Sequence, residues 1–359
     1  MTLDAVGGVW RYAMDLAREL RGSGIETVFA GFGPPPSRDG FLEAAAIGTV
    51  TWLEAPLDWT AEREDQLDRI PAFLDDLIAE YSIDLLHLNL PSQAAGLKVD
   101  VPVVVVSHSC VVTWFEAVRK CAPPAEWSWQ QRRNRQGFDR SDVVLAPSRS
   151  HADALLRCYG RIDNIEVVHN GSRIEPSPVP KEDFVFAAGR WWDDGKNGSA
   201  LDRAAALTKA RVVMAGPSDG PAAQRIAIDH AEHVGELPHG RTMALMSRAG
   251  IVASPSLYEP FGLAALEAAR AGAALILADI PTYRELWSGA ALFADPREPR
   301  SLAEAMDRLS SDTELRADLG LLAQLRSRQF SVETQGSAMA EIYAQAMQHN
   351  GRSTATGEP

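Results

Sequence analysis

The stretch at residues 251–279, IVASPSLYEPFGLAALEAARAGAALILAD, constrains the fold more than any other part of the chain. A short apolar run is followed by a Pro-containing loop at 254–261, a helical pattern at 262–271 and a second apolar run at 273–277. Neither run alternates polar with apolar residues, as expected for strands of a parallel sheet that is covered on both faces. The stretch therefore predicts a strand, a loop, a helix and a second, parallel strand.

The junction of loop and helix in this stretch predicts a binding site for an anion. Pro260 favours an extended Glu259, and Gly262 opens the helix without a side chain, so an anion can approach the free N–H groups of the first turn. Glu259 and Glu267 flank these groups, and carboxylates accept hydrogen bonds from hydroxyls. A nucleotide-sugar, with phosphates between two hydroxyl-bearing ends, fits this pattern. The alternative is an ordinary β-α-β unit with two solvated acids.

The segment YEPFGLAALEAARAG at 258–272 resembles the E-x7-E signature of the family 4 retaining glycosyltransferases. The resemblance extends over nearly the whole chain. It implies the GT-B fold, in which two Rossmann-like, doubly wound α/β domains face each other across a cleft and a C-terminal helix crosses back to the first domain. It also implies that Glu267 holds the ribose hydroxyls and that Glu259 holds hydroxyls of the transferred sugar.

Length and composition agree with a two-domain protein. A chain of 359 residues has room for two cores, and its net charge of −13 argues against a general nucleic-acid binder. No run approaches the roughly 18 apolar residues of a membrane span, and no signal region opens the chain. Three scattered cysteines match neither a disulfide framework nor a metal site. We expect a cytoplasmic protein, with at most weak peripheral contact at the inner face of the membrane.

The predicted domain boundaries follow the prolines and the hydrophobic pattern. We expect an acceptor-binding domain at 1–175, a Pro-rich linker at 176–182 and a nucleotide-sugar-binding domain at 183–330. A crossing helix at 331–349 and a disordered tail at 350–359 complete the chain. The resemblance implies a full strand before the first Gly-containing loop, whereas only residues 1–4 are present here. We therefore expect a truncated first strand: either the true start lies upstream or the sheet has a shortened central strand.

Two features of the first domain are candidate ligand contacts. Gly7 and Gly8 precede a helical pattern, which is a weak phosphate-loop signal whose simplest explanation is a tight turn. His108 follows the apolar run PVVVVS, at the strand end where open α/β sheets bind ligands. A loop histidine with structural partners is the alternative. The resemblance implies that the Gly pair faces the donor phosphates and the acceptor, and that His108 contacts the donor sugar.

The segment GRWWDDGKN at 189–197 places two cations around a short loop after a strand. Arg190 and Lys196 can converge on one diphosphate, the guanidinium as a bidentate fork and the ammonium as a point charge. An exposed pair at a strand end is the alternative. The segment resembles the Gly-Arg…Lys element of the family, which neutralises the leaving nucleoside diphosphate. The resemblance extends the donor site to further residues: Gly189, Gly216, Gly235, Leu237, Phe261, Leu263.

The implied reaction is transfer of a hexose, with retained anomeric configuration, from a nucleotide-sugar to a glycan, lipid or small-molecule acceptor, as in polysaccharide biosynthesis. GDP-mannose and UDP-glucose are the leading donors. Charge builds on the departing diphosphate, so preorganised donors there should dominate catalysis. We expect Arg190 and Lys196 to replace a metal ion, so no metal and no cofactor is assigned. No glycosidase-type carboxylate pair is evident, which favours a front-face mechanism. The oligomeric state is left open.

Other functions remain open from the sequence. An epimerase or a phosphorylase can share the GT-B fold, although a phosphorylase would need a pyridoxal-binding lysine that we do not identify. A non-catalytic nucleotide-sugar-binding protein, or an inactive truncated homologue, is the second alternative. The Trp- and Arg-rich segment 115–140 could meet an anionic acceptor or a lipid headgroup, although a solvated helix face explains it more simply.

Overall fold

The computed structural model describes residues 1–5, 7–175, 179–221 and 223–355, with side chains up to residue 349. The chain forms two compact units. Unit 1 contains Met1–Gly171 and Ser331–Pro359, and unit 2 contains Ser172–Phe330. The chain thus passes from unit 1 to unit 2 four residues before the predicted end of the first domain. Residues 176–178 of the predicted linker lie outside the described residues.

The described residues of unit 1 form seven strands in two parallel sheets. The strands are β1 Thr2–Asp4, β2 Val28–Phe32, β3 Thr49–Leu53, β4 Leu86–Leu88, β5 Val103–Val106, β6 Val143–Ala146 and β7 Ile165–Val167. One sheet has the order β1-β2-β3 and the other β4-β5-β6-β7. The short β1 is in register with β2, with Thr2 opposite Ala30. On its other side, the Asn89 amide donates to the Thr2 carbonyl at 2.5 Å, so side-chain hydrogen bonds connect β1 to the end of β4.

The helices of unit 1 connect these strands in the expected β-α-β manner. They are α1 Gly8–Gly22, α2 Arg38–Ala45, α3 Ile70–Tyr81, α4 Val111–Trp114, α5 Ser128–Arg140 and α6 Arg149–Tyr159. Ser148 is the N-cap of α6, because its hydroxyl accepts from the His151 N–H at 3.0 Å. Helix α2 was not predicted after the three prolines at 34–36. Ser37 caps this helix by accepting from the Gly40 N–H.

A long C-terminal helix, α13 Val332–Ala355, belongs to unit 1 and packs against α1. Its buried contacts include Met339 and Tyr343, which share a core cluster with Leu16 and Leu20 of α1. The predicted tail at 350–359 is corrected in part, since the backbone stays helical through Ala355. Gly351 weakens a helix by only about 1 kcal/mol, and no proline interrupts this segment. Residues 356–359 lie outside the described residues.

Unit 2 is one six-stranded parallel sheet with helices around it. Its strands are β8 Glu182–Ala188, β9 Val212–Ala215, β10 Glu232–Gly235, β11 Ala249–Ser254, β12 Ala274–Ala278 and β13 Leu292–Ala294. Their order is β10-β9-β8-β11-β12-β13. The helices are α7 Gly198–Ala205, α8 His239–Arg248, α9 Leu263–Arg270, α10 Pro281–Trp287, α11 Pro299–Ser311 and α12 Thr313–Ser327. The predicted strand-loop-helix-strand unit is thus β11, α9 and β12.

Two separate cores explain why the centre of β8 is apolar on both of its faces. Phe184 and Phe186 of β8 face one core, which also contains Trp287 of α10. Val185 and Ala187, which alternate with them, face the other core beside the helices α7 and α11. Every side chain in the centre of the strand is therefore buried on one face or the other. This arrangement confirms the prediction of a doubly wound α/β fold.

In the part of the chain that the structure describes, none of the helices has both the length and the apolar character needed to cross a membrane.

Candidate functional site

Three predicted donor-site glycines meet at the carboxyl ends of adjacent strands in unit 2. The N–H of Gly189, after β8, donates to the Ala215 carbonyl at 3.1 Å. The N–H of Gly216, after β9, donates to the carbonyl of Gly235, which ends β10, at 2.8 Å. A Cβ on Gly216 would lie 1.9 Å from the Gly189 carbonyl oxygen, and its φ is +121°. Only glycine allows this close approach of the two loops.

Arg190 extends from the same edge of the sheet. The neighbouring Trp191 is buried, and its indole N–H donates to the Ala215 carbonyl at 2.9 Å. Trp191 thereby anchors the loop that follows β8. The guanidinium of Arg190 lies over the ring of Trp192, 5.5 Å from the ring centre, and 3.8 Å from an oxygen of Asp193. Arg190 is half-buried, and its guanidinium presents planar, fork-shaped donors.

The second cation, Lys196, lies at the end of a short turn, Asp194–Lys196, between β8 and α7. The side chain of Asp193 accepts from the Gly195 N–H at 2.8 Å, and the Gly195 carbonyl accepts from the Leu257 N–H at 2.8 Å. The Asn197 amide donates to the carbonyls of Pro255 and Pro296 at 3.0 and 2.7 Å. These hydrogen bonds hold together three segments that are far apart in sequence: the turn that carries Lys196, the loop at 255–257 and Pro296.

The Lys196 ammonium forms an ion pair with the Glu259 carboxylate. The Ser256 hydroxyl donates to the same oxygen of Glu259 at 3.1 Å. Both charged side chains are mostly buried, with 24% of the lysine and 12% of the glutamate side chain exposed. A pair at this depth keeps more of its attraction than a surface pair, because water screens it less. The prediction that Lys196 and Glu259 belong to one site is consistent with this contact.

Gly262 forms the N-terminal end of helix α9 in a left-handed conformation, with φ +89°. A Cβ there would lie 2.7 Å from a ring carbon of Tyr283, whose hydroxyl is 2.6 Å from the Ser254 hydroxyl. Burial raises the pKa of Tyr283 well above its usual value. Gly262 is thus required by both its dihedral angle and its neighbour. Among the described residues, no side chain caps the N-terminal end of α9, although the Ala265 N–H donates to the Gly262 carbonyl at 3.0 Å.

The remaining predicted donor residues of unit 2 lie on the same elements. Phe261 is buried and contacts Phe330 edge-to-face at 5.7 Å, which anchors the chain immediately before Gly262. Leu263 and Glu267 belong to α9 and are half-buried. Leu237 follows β10 and packs at the margin of one core. Phe261 therefore has a clear structural role, whereas the binding roles of these four residues remain predictions.

Three predicted residues belong to unit 1 rather than unit 2. Gly7 is extended and precedes α1, which begins at Gly8. His108 follows β5, and its ring meets that of Tyr12 edge-to-face at 4.3 Å. Its Nε2 lies 2.9 Å from the Asn89 side-chain oxygen. Burial lowers the pKa of His108 to about 3, so the imidazole is neutral at physiological pH.

The arginines of α5 do not form an open basic surface. Arg132 pairs with Glu64, Arg135 pairs with Asp139, and Arg140 donates to backbone carbonyls. Arg133 is buried and donates to Asp68 at 3.2 Å. These partners occupy the guanidinium groups that the sequence suggested for an anionic acceptor or a lipid headgroup. This result favours the interpretation of segment 115–140 as a solvated helix face.

Several residues that shape these sites were not predicted from the sequence. Ser256 donates to Glu259 within one loop. Asn197 connects its turn to the distant Pro255, and Tyr283 packs against Gly262. Their sequence context does not distinguish them from ordinary loop or helix residues. Asn89 does have a sequence signal, because the polar end of the segment 84–89 suggested a position near a ligand. In the structure Asn89 follows β4 as His108 follows β5, at the carboxyl edge of one sheet.

Two doubly wound parallel α/β units define the GT-B class of fold, and the edge of unit 2 combines cations with a helix N-terminus. Comparison with known families agrees with this class. Residues 6–175 match Glycosyltransferase Family 4, and residues 181–325 match Glycosyl transferases group 1. The chain is therefore a glycosyltransferase and belongs to family 4.

Curated relatives agree with this assignment. The chain is 28% identical to the D-inositol 3-phosphate glycosyltransferase of Xylanimonas cellulosilytica over 309 residues, which cover 74% of this chain and 72% of the relative. It is 25% identical to the glycogen synthase of Mycobacterium tuberculosis over 391 residues, which cover 95% and 92% of the two chains.

Solved structures show the same fold. Sucrose-phosphate synthase from Thermosynechococcus elongatus superposes with a TM-score of 0.80 at 17% identity, covering 97% of this chain and 99% of that chain. Anabaena HepE in complex with UDP-glucose has a TM-score of 0.72 at 18% identity, covering 96% and 99%. The GT-B fold predicted from the sequence is confirmed.

Proposed function

We propose that this protein transfers a hexose from a nucleoside-diphosphate sugar to a hydroxyl-bearing glycan, lipid or small molecule, with retention of the anomeric configuration and without a metal ion. The observation that carries the proposal is the carboxyl edge of β8 and β11 in unit 2. Arg190 and Lys196 follow one strand, and the N-terminal end of α9 follows its neighbour. Two cations and a helix N-terminus suit a diphosphate.

The proposed reaction breaks the bond between the anomeric carbon and an oxygen of the diphosphate. The acceptor oxygen bonds to the same face of that carbon, and its proton passes to the departing phosphate oxygen. The charge that develops on the diphosphate is stabilised by Arg190, Lys196 and the N–H groups of Gly262 and Leu263. These groups are donors held in place before the reaction, so they need little reorganisation as the charge develops.

In this proposal the two carboxylates bind the hydroxyl groups of the donor. Glu259 accepts from hydroxyls of the transferred sugar, and Glu267 accepts from the ribose. His108 accepts from a further hydroxyl of the transferred sugar. Glu259 is paired with Lys196 in the structure, so binding of the diphosphate would compete with the carboxylate for the ammonium. The glycines Gly7, Gly8, Gly189, Gly216 and Gly235 allow backbone to approach the donor closely.

UDP-glucose and GDP-mannose are the proposed donors. The solved structure of Anabaena HepE with UDP-glucose supports the former, while the choice between the two bases rests on the resemblance alone. Relatives named for transfer to D-inositol 3-phosphate and for glycogen synthesis support a hydroxyl acceptor of the sugar or polyol class.

The test combines binding with product analysis. The melting temperature is measured with UDP, GDP, UDP-glucose and GDP-mannose, in EDTA and in Mg²⁺, for the native chain and for Arg190→Ala and Glu267→Ala. Binding to the folded state raises the melting temperature. We expect one nucleotide to produce a shift that persists in EDTA and is lost in both variants.

Turnover separates a transferase from a non-catalytic binder. The preferred donor is incubated with a panel of glucosides, mannosides and polyols, and the anomeric configuration of the product is determined by NMR. An α-linked product from these α-linked donors indicates retention. An inverted product, a metal requirement or a trapped glycosyl-enzyme would each contradict a part of the proposal. A nucleotide-dependent shift without turnover would indicate a binding protein.

A further inference from the structure

Unit 1 contains a largely buried polar cluster around His108, and the other members of this cluster have no part in the proposed reaction. It consists of Thr2, His87, Asn89, His108 and Tyr343. The Asn89 side-chain oxygen lies 2.9 Å from Nε2 of His108 and 3.1 Å from Nε2 of His87. Nδ1 of His87 lies 2.5 Å from the Tyr343 hydroxyl on α13. One amide therefore joins two imidazoles, and one of these reaches the C-terminal helix.

The orientation of the Asn89 amide follows from its other contact. Its nitrogen lies 2.5 Å from the Thr2 carbonyl oxygen, which can only accept a hydrogen bond. The nitrogen therefore faces Thr2 and the oxygen faces the two imidazoles. The Asn89 backbone N–H also donates to the Thr2 hydroxyl at 2.8 Å. Thr2 of β1 therefore holds both the side-chain amide and the backbone N–H of Asn89. The amide cannot exchange its oxygen and nitrogen without losing a buried hydrogen bond.

The orientation of the Asn89 amide determines which nitrogen of each imidazole, in His87 and in His108, carries a proton. The Asn89 oxygen only accepts, so each Nε2 must carry a proton. Burial lowers the pKa of both His87 and His108 to about 3, so each ring is neutral and has one N–H. Nδ1 of His87 is then an acceptor, and the Tyr343 hydroxyl donates to it. Nδ1 of His108 is likewise left with a lone pair. Within the described residues, no hydrogen bond is formed to that atom.

We propose that Asn89 is a positioning residue that holds His108 as the Nε2–H tautomer, so that Nδ1 of His108 accepts a hydrogen bond from a hydroxyl of the transferred sugar. The identity of this hydroxyl-bearing ligand rests on the proposed function, whereas the tautomer does not. A neutral imidazole in this tautomer cannot donate from Nδ1. It therefore selects a hydroxyl, which can donate, and disfavours a carbonyl or a phosphate oxygen at that position.

The first test measures the tautomer without any ligand. The full chain is labelled with ¹⁵N in the histidine rings, and long-range ¹H–¹⁵N correlation spectra are recorded at pH 7, with His108→Gln used to assign the signals. We expect Nε2 of His108 in the protonated range and Nδ1 in the unprotonated range. The opposite tautomer or a mixture would overturn the assignment to Asn89, whatever the protein binds.

The second test adds the nucleotide-sugar. The Nδ1 signal of His108 should move with UDP-glucose or GDP-mannose and stay unchanged with UDP or GDP alone. A donor that raises the melting temperature but leaves Nδ1 unchanged would overturn the role of His108 while leaving the donor site intact. If no donor raises the melting temperature, the proposed function fails, and the tautomer result from the first test stands separately.

Variants of Asn89 give the third test. Asn89→Ala removes the shared acceptor, and we expect His108 to populate both tautomers and kcat/KM for the donor to fall about tenfold. Asn89→Asp places a carboxylate against the imidazoles and should raise the pKa of His108, so that the rate gains a dependence on pH near neutrality. Other titratable groups at the two rings are Tyr12 of α1, Tyr343 of α13, His151 of α6 and the Met1 amino group.

Tyr343→Phe is the matched control. It removes only the hydroxyl donor to His87 and leaves the Asn89 oxygen in place, so the tautomer of His108 and the rate should stay within about twofold of the native chain. Thermal unfolding is recorded for each variant. If Asn89→Ala unfolds, the labelled native chain still decides the tautomer. Equal rate losses in Asn89→Ala and Tyr343→Phe, with the His108 signals unchanged in both, would show a structural role only and overturn the proposal.

Discussion

The Lys196 ammonium and the Glu259 carboxylate form an ion pair although they are 63 residues apart in the chain. The pair joins the loop after β8 to the loop before α9, which are the two segments that carry the proposed diphosphate site. Ser256 adds a hydrogen bond to the same carboxylate oxygen. The charge that would bind the ligand is therefore balanced within the protein, which avoids an isolated, partly buried cation.

Replacement of Lys196 should reduce transfer far more than stability. Lys196→Gln removes a charge that stabilises the leaving diphosphate, and loss of one such preorganised group costs about 100- to 1,000-fold in rate. The measurement is kcat for donor turnover together with the melting temperature. Lys209→Gln, on an exposed loop of unit 2, is the matched control and should retain the native rate. Equal rates for the two variants would exclude Lys196 from the reaction.

Replacement of Glu259 should separate nucleotide binding from transfer. In Glu259→Gln the shape is preserved but the carboxylate no longer competes with a diphosphate for Lys196. We expect binding of UDP or GDP to tighten roughly fivefold, since a charge at about 4 Å in a solvent-like medium is worth about 1 kcal/mol.

Transfer by the same variant should slow about 10- to 100-fold, as expected for the loss of a charged hydrogen-bond partner of the sugar. Calorimetry with the nucleotide and a turnover assay give the two numbers. A variant that binds the nucleotide more weakly than the native chain would show that Glu259 supports the phosphate site rather than competing with it.

The sequence predicted the elements of unit 2 well because their pattern has a direct physical cause. The centres of strands β8, β11 and β12 are apolar, since alternate residues such as Phe184 and Val185 face two different cores. The loop with Pro260 and Gly262 also carried its own local signal, and the left-handed Gly262 is in the structure. Local rules therefore sufficed for this β-α-β unit.

Contacts between distant segments could not be predicted in the same way. The arginines of α5 suggested a basic surface, but their partners Glu64 and Asp68 lie more than 60 residues earlier. The hydrogen bonds between Asn89 and Thr2 span 87 residues. In each case the residue type shows that a partner is needed, and only the tertiary fold identifies it. The contact between Lys196 and Glu259 belongs to the same class.

Replacement of Gly262 by alanine should destabilise unit 2. A left-handed conformation costs a residue with a side chain about 1–2 kcal/mol, and the new Cβ would lie 2.7 Å from the Tyr283 ring. We expect the free energy of unfolding to fall by about 2 kcal/mol or more in denaturant unfolding, with weaker nucleotide binding because the first turn of α9 shifts.

Gly240→Ala in α8 is the control, since a Cβ there meets no atom within 4 Å. It should be neutral or stabilising by up to about 1 kcal/mol. Equal stabilities of the two variants would contradict the inferred strain.

The buried histidines of unit 1 should make the protein sensitive to mild acid. Burial lowers the pKa of His87 and His108 to about 3 and that of His151 to about 4, while an unfolded histidine titrates near 6.5. Between about pH 6.5 and 4.5 the unfolded chain therefore binds up to three more protons at these sites than the folded chain. The free energy of unfolding consequently falls as the pH falls.

Urea unfolding at intervals between about pH 6.5 and 4.5 measures the slope of the free energy of unfolding against pH. His151→Gln should reduce it by up to one proton, and His230→Gln, on the exposed loop before β10, should leave it unchanged. A slope that is flat in the native chain, or identical in both variants, would show that these imidazoles are not held neutral by the fold.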